Sequence, residues 1–151
     1  MSATTRPDKL SIVVYSGEFD KVHYALVMAT AAAAIGTPAT LFFTMDACRA
    51  LEKPDEDGAP AWRAMPVSQG VNAGLAQGGA MDDDFQKKGI ATFEELLTSC
   101  PALGVKIMVC EMGLRARGMT RASLRQDIPI EPGGVVTFLN DASKSGAVVF
   151  V

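Results

Sequence analysis

Apolar positions along this chain follow two rhythms that alternate: short unbroken runs, and longer stretches at helical spacing. Leu10 to Tyr15 (LSIVVY) is a β-branched run and predicts a first strand covered on both faces. The loop SGEFDK follows, where Ser16 or Asp20 can cap a helix. Val22 to Ile35 predicts that helix. Ala25, Leu26, Ala29, Ala32 and Ala33 recur on one side of it, their small size favours close packing on a sheet, and Gly36 is a natural stop. Ala39 to Thr44 (ATLFFT) predicts a second strand, and about Asp46 to Leu51 a short helix.

The rhythm then breaks. Glu52 to Gly89 holds Pro54, Pro60 and Pro66, a scatter of glycines, and an acidic run, Asp82–Asp84, that reads as a solvated loop. Loops longer than about 12–15 residues are uncommon in compact domains. Trp62, Met65, Val67, Val71, Leu75 and Met81 are apolar anchors that a plain linker would not carry. The expectation is an excursion with some short helix, packed on the domain or on a neighbouring subunit.

Regularity returns at TFEELLTSCPALG. Thr92 with Glu95 forms a capping box, and Pro101 predicts a helix end near Cys100. Val105 to Val109 or Cys110 predicts a strand, and Met112 to Arg117 a helix stopped by Gly118. TRASLRQD reads as one turn or two, and PIEPGG as a loop. Val135 to Leu139 predicts a fourth strand, Asp141 to Ser145 a very short helix, and Ala147 to Val151 a fifth strand. Strands alternating with helices imply βαβ units and right-handed crossovers. The expected architecture is a single domain over residues 1–151, a three-layer α/β/α fold with a parallel sheet of about five strands.

Composition narrows the partners. Net charge is −3, which argues against nucleic acid, since phosphate neutralisation needs a clustered basic face. Arg115, Arg117, Arg121 and Arg125 read as a solvated turn and helix end. No apolar run approaches the ~20 residues of a membrane span, and the N-terminal residues lack a signal-peptide core, so a cytoplasmic protein is expected. Three cysteines there do not suggest a disulfide framework. They are core residues, reactive thiols or ligands. With no CxxC pair and His23 as the one histidine, no metal site is expected, and no cofactor motif is present. His23 reads as a packing or capping residue.

Chemistry then rests on thiols. Ligands of open parallel sheets gather at the carboxyl ends of the strands, and Cys110 closes one of them. Backbone N–H groups of Glu111, Met112 and Gly113 at a helix start favour a thiolate, provided the Glu111 carboxylate turns outward. A reachable nucleophile and a buried core cysteine fit that position equally. Cys48 falls on the same edge, as a second thiol or an inward-packing residue. Cys100 belongs to the start of the strand. About six strand residues span roughly 20 Å, so a Cys100–Cys110 disulfide does not fit. Ser16, Gly17 and Met45, at the neighbouring strand ends, are candidate pocket residues.

KLSIVVYSGEFDKVHYALVMATAAAAIGTPATLFFT, LGVKIMVCEMGLRARGM and GGVVTFLNDASKSGAVVFV, taken together, resemble the DsrE/DsrF-like family of small sulfur-handling proteins, in the branch labelled peroxiredoxin-like. The likeness covers Lys9–Thr44 and Phe93–Val151. It implies a five-stranded parallel sheet, homo-oligomers (trimers or hexamers), and a cysteine that carries sulfur as a persulfide between protein thiols. The family's strand-end cysteine matches Cys110, and its cysteine before G-V-K resembles Cys100. No cofactor is implied. The function expected is that of a sulfur carrier or sulfurtransferase-like protein; a non-catalytic ligand-binding or structural subunit of a sulfur relay is the alternative.

Overall fold

In the computed structural model, which describes residues 5–70 and 73–151, the sheet has the order β4-β3-β2-β1-β5 with every neighbouring pair parallel. β1 is Leu10–Val14, β2 Ala39–Phe43, β3 Lys106–Cys110, β4 Glu131–Gly133 and β5 Ala147–Phe150. The chain builds outward from β1 through β2 and β3 to β4, then returns to the far side of β1 for β5.

Alternation along the strands sorts two faces. Ile12, Val14, Leu41, Phe43, Ile107 and Val109 point to one face, where helix α1 (Phe19–Ala34) and helix α3 (Phe93–Ala102) cover them. That layer is thick, because the excursion joins it. Trp62, Met65, Val67 and Met81 are buried in the same core and Leu75 packs at its margin, while Val71 lies outside the described residues. Rings of Phe19, Trp62, Phe85 and Phe93 meet at centroid distances of 4.8–6.2 Å, knotting α1, the excursion and α3 together. The opposite face carries a much smaller cluster, Phe42, Met108 and Cys110, covered by Phe138 of helix α5 (Val135–Asp141).

Several local expectations change. Val135–Leu139 is the start of α5, not a strand; the fourth strand is the three-residue Glu131–Gly133, within the segment expected as a loop. The valines of α5 carry β propensity, but tertiary context decides: Phe138 alone is buried, at 2% exposure, and one inward residue suits a helix turn better than strand alternation. Pro132 is tolerated because β4 is an edge strand. Asp141 ends α5, so no helix spans Asp141–Ser145. Pro101 does not stop α3, which runs on to Ala102; the chain turns at Gly104, φ 77°. The Thr92–Glu95 capping box forms as expected. Helix α1 begins at Phe19, earlier than its apolar pattern, and neither candidate cap serves. Ser16 Oγ accepts the Glu18 N–H, and Asp20 receives both the backbone N–H and the hydroxyl of Ser68, tying the excursion to α1.

The acidic run is helical, not a loop. It lies in helix α2 (Gly78–Lys87), and Asp82 is buried with its carboxylate accepting the Phe93 N–H at 2.7 Å. Burial pushes the Asp82 carboxyl up, an effect that this hydrogen bond partly offsets. Arg125, expected in a solvated cluster, is buried instead. Its guanidinium donates to both Glu94 oxygens at 2.6 and 2.9 Å and to Asp127, while Glu94 also accepts from Trp62 Nε1 at 2.7 Å. A charge this desolvated needs such partners.

On the smaller face, Asp141 closes the edge. It accepts from Lys9 and Thr40 at 2.7 Å and from Lys106 at 2.6 Å. Burial alone would raise its carboxyl, but these donors outweigh it and hold the group well below the usual carboxylate range. A carboxyl depressed on folding stabilises the fold above its unfolded value, and that contribution is lost as pH falls through the folded one. Replacement Asp141→Asn should cost about 2 kcal/mol at pH 7, in line with losing hydrogen bonds to charged groups. The gap to wild type should shrink as pH is lowered below about 4. Urea midpoints from pH 3 to 7 check this; a constant gap would contradict it.

Candidate functional site

β3 is buried from Ile107 onward, so its last side chain, Cys110, arrives at the carboxyl edge of the sheet already desolvated. Helix α4 (Glu111–Ala116) begins immediately, with Cys110 as its N-cap residue and no side-chain cap bond. α4 packs on the turn after β2, a 3-10 helix over Met45–Leu51. Gly113 permits that contact: a Cβ there would lie 2.6 Å from Thr44 Oγ1 and from the Met45 nitrogen. Met45 itself has φ 52°, a left-handed conformation that costs a non-glycine residue of order 1 kcal/mol or more.

The Glu111 carboxylate does turn outward, paired with Arg121. Met112 is exposed. Cys110 is 1% exposed, enclosed by Phe42, Met108 and Phe138, with the two phenylalanine rings stacked at 4.8 Å. The thiol therefore sits at the expected edge but behind a lid of aromatic carbon.

Cys48 is buried on the other face, yet near enough that a charge on Cys110 acts on it. Burial first, and Cys110 second, push its thiol up to about 12. Cys100 is also buried; its Sγ donates to the Leu96 carbonyl at 3.3 Å, and burial pushes the thiol up to about 11. All three thiols are free. Among the described residues no group of His, Cys, Asp and Glu is placed to hold a metal, and no helix is long and apolar enough to cross a membrane. His23 is a packing residue: its ring lies 4.8 Å from that of Phe85, and Nε2 is 2.9 Å from the Ala91 carbonyl oxygen.

A cleft of about 750 Å³ opens at the same edge, where β1 leads one way and β5 returns on the other side. Such switch points are where open α/β sheets take ligands. Ser16, Gly17 and Met45 line it as expected, together with Tyr15, Phe150 and Arg117. Glu111, Met112, Gly113 and Cys110 do not; of these, Gly113 touches the Met45 backbone, and Glu111 lines a separate pocket. The structure therefore brings together only part of the candidate set. A somewhat larger opening, about 800 Å³, lies between Arg49, Arg63 and Met65, and no thiol lines it. Tyr15 and Phe150 were not legible as site residues, because only pairing of β1 with β5 sets their rings 5.2 Å apart.

The sequence model of the DsrE/DsrF/DrsH-like family matches residues 6–150. The chain belongs to this family. Among its relatives is a protein named sulfur carrier protein DsrE2, from Allochromatium vinosum; it is 27% identical over 157 residues, covering 95% of this chain and 98% of that protein. The uncharacterized protein YrkE of Bacillus subtilis is 27% identical over 165 residues, covering 98% and 99%. The family assignment spans the excursion as well as the flanking segments that carried the resemblance.

Thiols pushed to about 12 and about 11 are thiolate only to about one part in 10⁴ and 10³ at pH 8. Cys48 and Cys100 should thus resist a small alkylating reagent in the native protein and react fully in denaturant. Peptide-resolved alkylation checks this, and native labelling of either at the rate of a free thiol would contradict it.

Proposed function

We propose that this chain is a sulfur carrier that holds sulfane sulfur as a persulfide on Cys110 and passes it to a partner protein's thiol, within a homo-oligomer in the cytoplasm. The observation that carries the reading is the placement of Cys110 at the carboxyl edge of the sheet, while burial holds both other thiols protonated. Membership in the DsrE/DsrF/DrsH-like family and likeness to a protein named as a sulfur carrier support it.

The chemistry needs no metal and no external oxidant. The Cys110 thiolate attacks the outer sulfur of a donor persulfide, R–S–SH. A new S–S bond forms to Cys110, the donor S–S bond breaks, and its electron pair leaves on RS⁻, which takes up a proton. An acceptor thiolate then attacks the outer sulfur of the Cys110 persulfide, and the Cys110 thiolate leaves. Glu111, Met112 and Gly113 form the first turn of α4, directly after the reacting cysteine. Ser16, Gly17 and Met45 line the neighbouring cleft at the same edge of the sheet, and Cys48 and Cys100 act as packing residues. Access requires Phe138 to move.

The near-complete burial of Cys110 also favours a second reading, a structural subunit of a sulfur relay with no chemistry of its own. Intact mass after incubation with a sulfane-sulfur donor separates the two. The carrier reading expects wild type to gain one sulfur, about 32 Da, and Cys110→Ser to gain none while keeping its thermal midpoint. In Phe138→Ala, loading should quicken about tenfold or more, since removing a buried aromatic ring lowers the cost of opening by more than ~1.4 kcal/mol. Equal loading of wild type and Cys110→Ser, or none in either, refutes the carrier reading.

A further inference from the structure

The cleft beside the ends of β1 and β5 has a lining that sulfur transfer leaves unused, since none of the three thiols borders it. One wall is aromatic. Tyr15 and Phe150 hold their ring centroids 5.2 Å apart, and both rings meet solvent: Tyr15 is 46% exposed and Phe150 68%. Around them stand three cationic side chains, Lys21, Arg49 and Arg117, and two carboxylates, Glu18 and Asp46. Rings, cations and carboxylates in one concavity fit a ligand with three chemically different parts. The volume of about 750 Å³ falls within the range of about 300–1,000 Å³ typical of small-molecule sites.

The charged groups keep hydrogen-bonding capacity to spare. Arg117 gives one nitrogen to Asp46 at 2.9 Å, and a guanidinium carries about five N–H donors. Arg49 is held loosely, 4.0 Å from Glu52. Lys21 meets Glu18 at 2.8 Å, which leaves other ammonium protons to donate. Asp46 spends Oδ1 on Arg117, and its carboxylate is half-exposed. It follows the end of β2, the strand beside β1. Doubly wound sheets bind nucleotides at the switch point and accept a ribose hydroxyl on a carboxylate placed in this way. Backbone conformation agrees. Gly17 lets the turn after β1 close on Asp46, where a Cβ would lie 2.6 Å from the Asp46 Cβ. Met45, also in the lining, holds the left-handed φ of 52°, a kind of strain that gathers at ligand clamps. The larger opening between Arg49 and Arg63 lacks this combination: no ring lines it, and Arg63 already forks onto both oxygens of Asp83.

We infer that the cleft binds a nucleoside monophosphate, with the base against Tyr15 and Phe150, the ribose hydroxyls on Asp46 and the phosphate on Arg49, Arg117 and Lys21. The loop SGEFDK lacks the glycines of a P-loop, so the phosphate falls to side chains, which suits one phosphate rather than three. The site uses no thiol, so it stands whether or not Cys110 carries sulfur.

The test is isothermal titration calorimetry of the full chain with the adenosine, guanosine, cytidine and uridine monophosphates, beside inorganic phosphate and the free nucleosides. At least one monophosphate should bind saturably, and phosphate or its nucleoside alone about fivefold or more weakly, each lacking part of the contacts. Phe150→Leu, which keeps apolar bulk but removes the ring, and Arg49→Gln should each weaken binding about fivefold or more with far-UV circular dichroism unchanged. Asp46→Ala should bring the ribonucleotide and its 2′,3′-dideoxy analogue to equal affinity. No saturable binding at millimolar concentration overturns the inference. Phosphate alone binding as tightly as the nucleotide does so too, as do folded Phe150→Leu and Arg49→Gln proteins with wild-type affinity. Should Phe150→Leu fail to fold, Tyr15→Leu is read in the same way.

Discussion

A parallel sheet leaves its apolar strand faces to be covered by whatever the crossovers supply, and in this chain the supply is uneven. One face receives two long helices and a folded excursion. The other receives the seven residues of α5. Much of the molecule's character follows from that imbalance. Cys110 falls on the thinly covered face, enclosed there by Phe42, Met108 and Phe138 of the short helix α5. Cys48, near it but on the opposite face, is locked into the thick core and kept protonated.

Polar groups hold the arrangement where apolar packing cannot. Glu94 links Trp62 of the excursion to Arg125 of the connection between β3 and β4, so three distant segments meet on one carboxylate. Asp141 does the same for α5, anchoring its end to Lys9, Thr40 and Lys106. α5 is thus fastened at one end and preceded by two glycines at the other.

The sheet was legible in the sequence because buried parallel strands read as unbroken apolar runs: β1, β2, β3 and β5 all announce themselves that way. β4 does not, since a three-residue edge strand of Glu, Pro and Gly carries no apolar signal, and the valines after it draw the strand assignment to α5. The excursion was legible as packed material from Trp62 and Met65, but the helicity of Asp82–Asp84 was not: the reason for burying Asp82 is the start of α3, eleven residues later. Cys110 was legible by position. Its enclosure by Phe138 was not, because that contact depends on where α5 returns over the sheet. Ser16, Gly17 and Met45 share their cleft with Tyr15 and Phe150, which only strand pairing brings together.

Sulfur located to one residue is the most direct test of the central claim. After loading with a sulfane-sulfur donor and blocking with an alkylating reagent, trypsin releases the segment from Ile107 to Arg115, which holds Cys110 and neither other cysteine. The account predicts the added sulfur on that peptide alone. Sulfur on the peptides of Cys48 or Cys100, or on none, would contradict it.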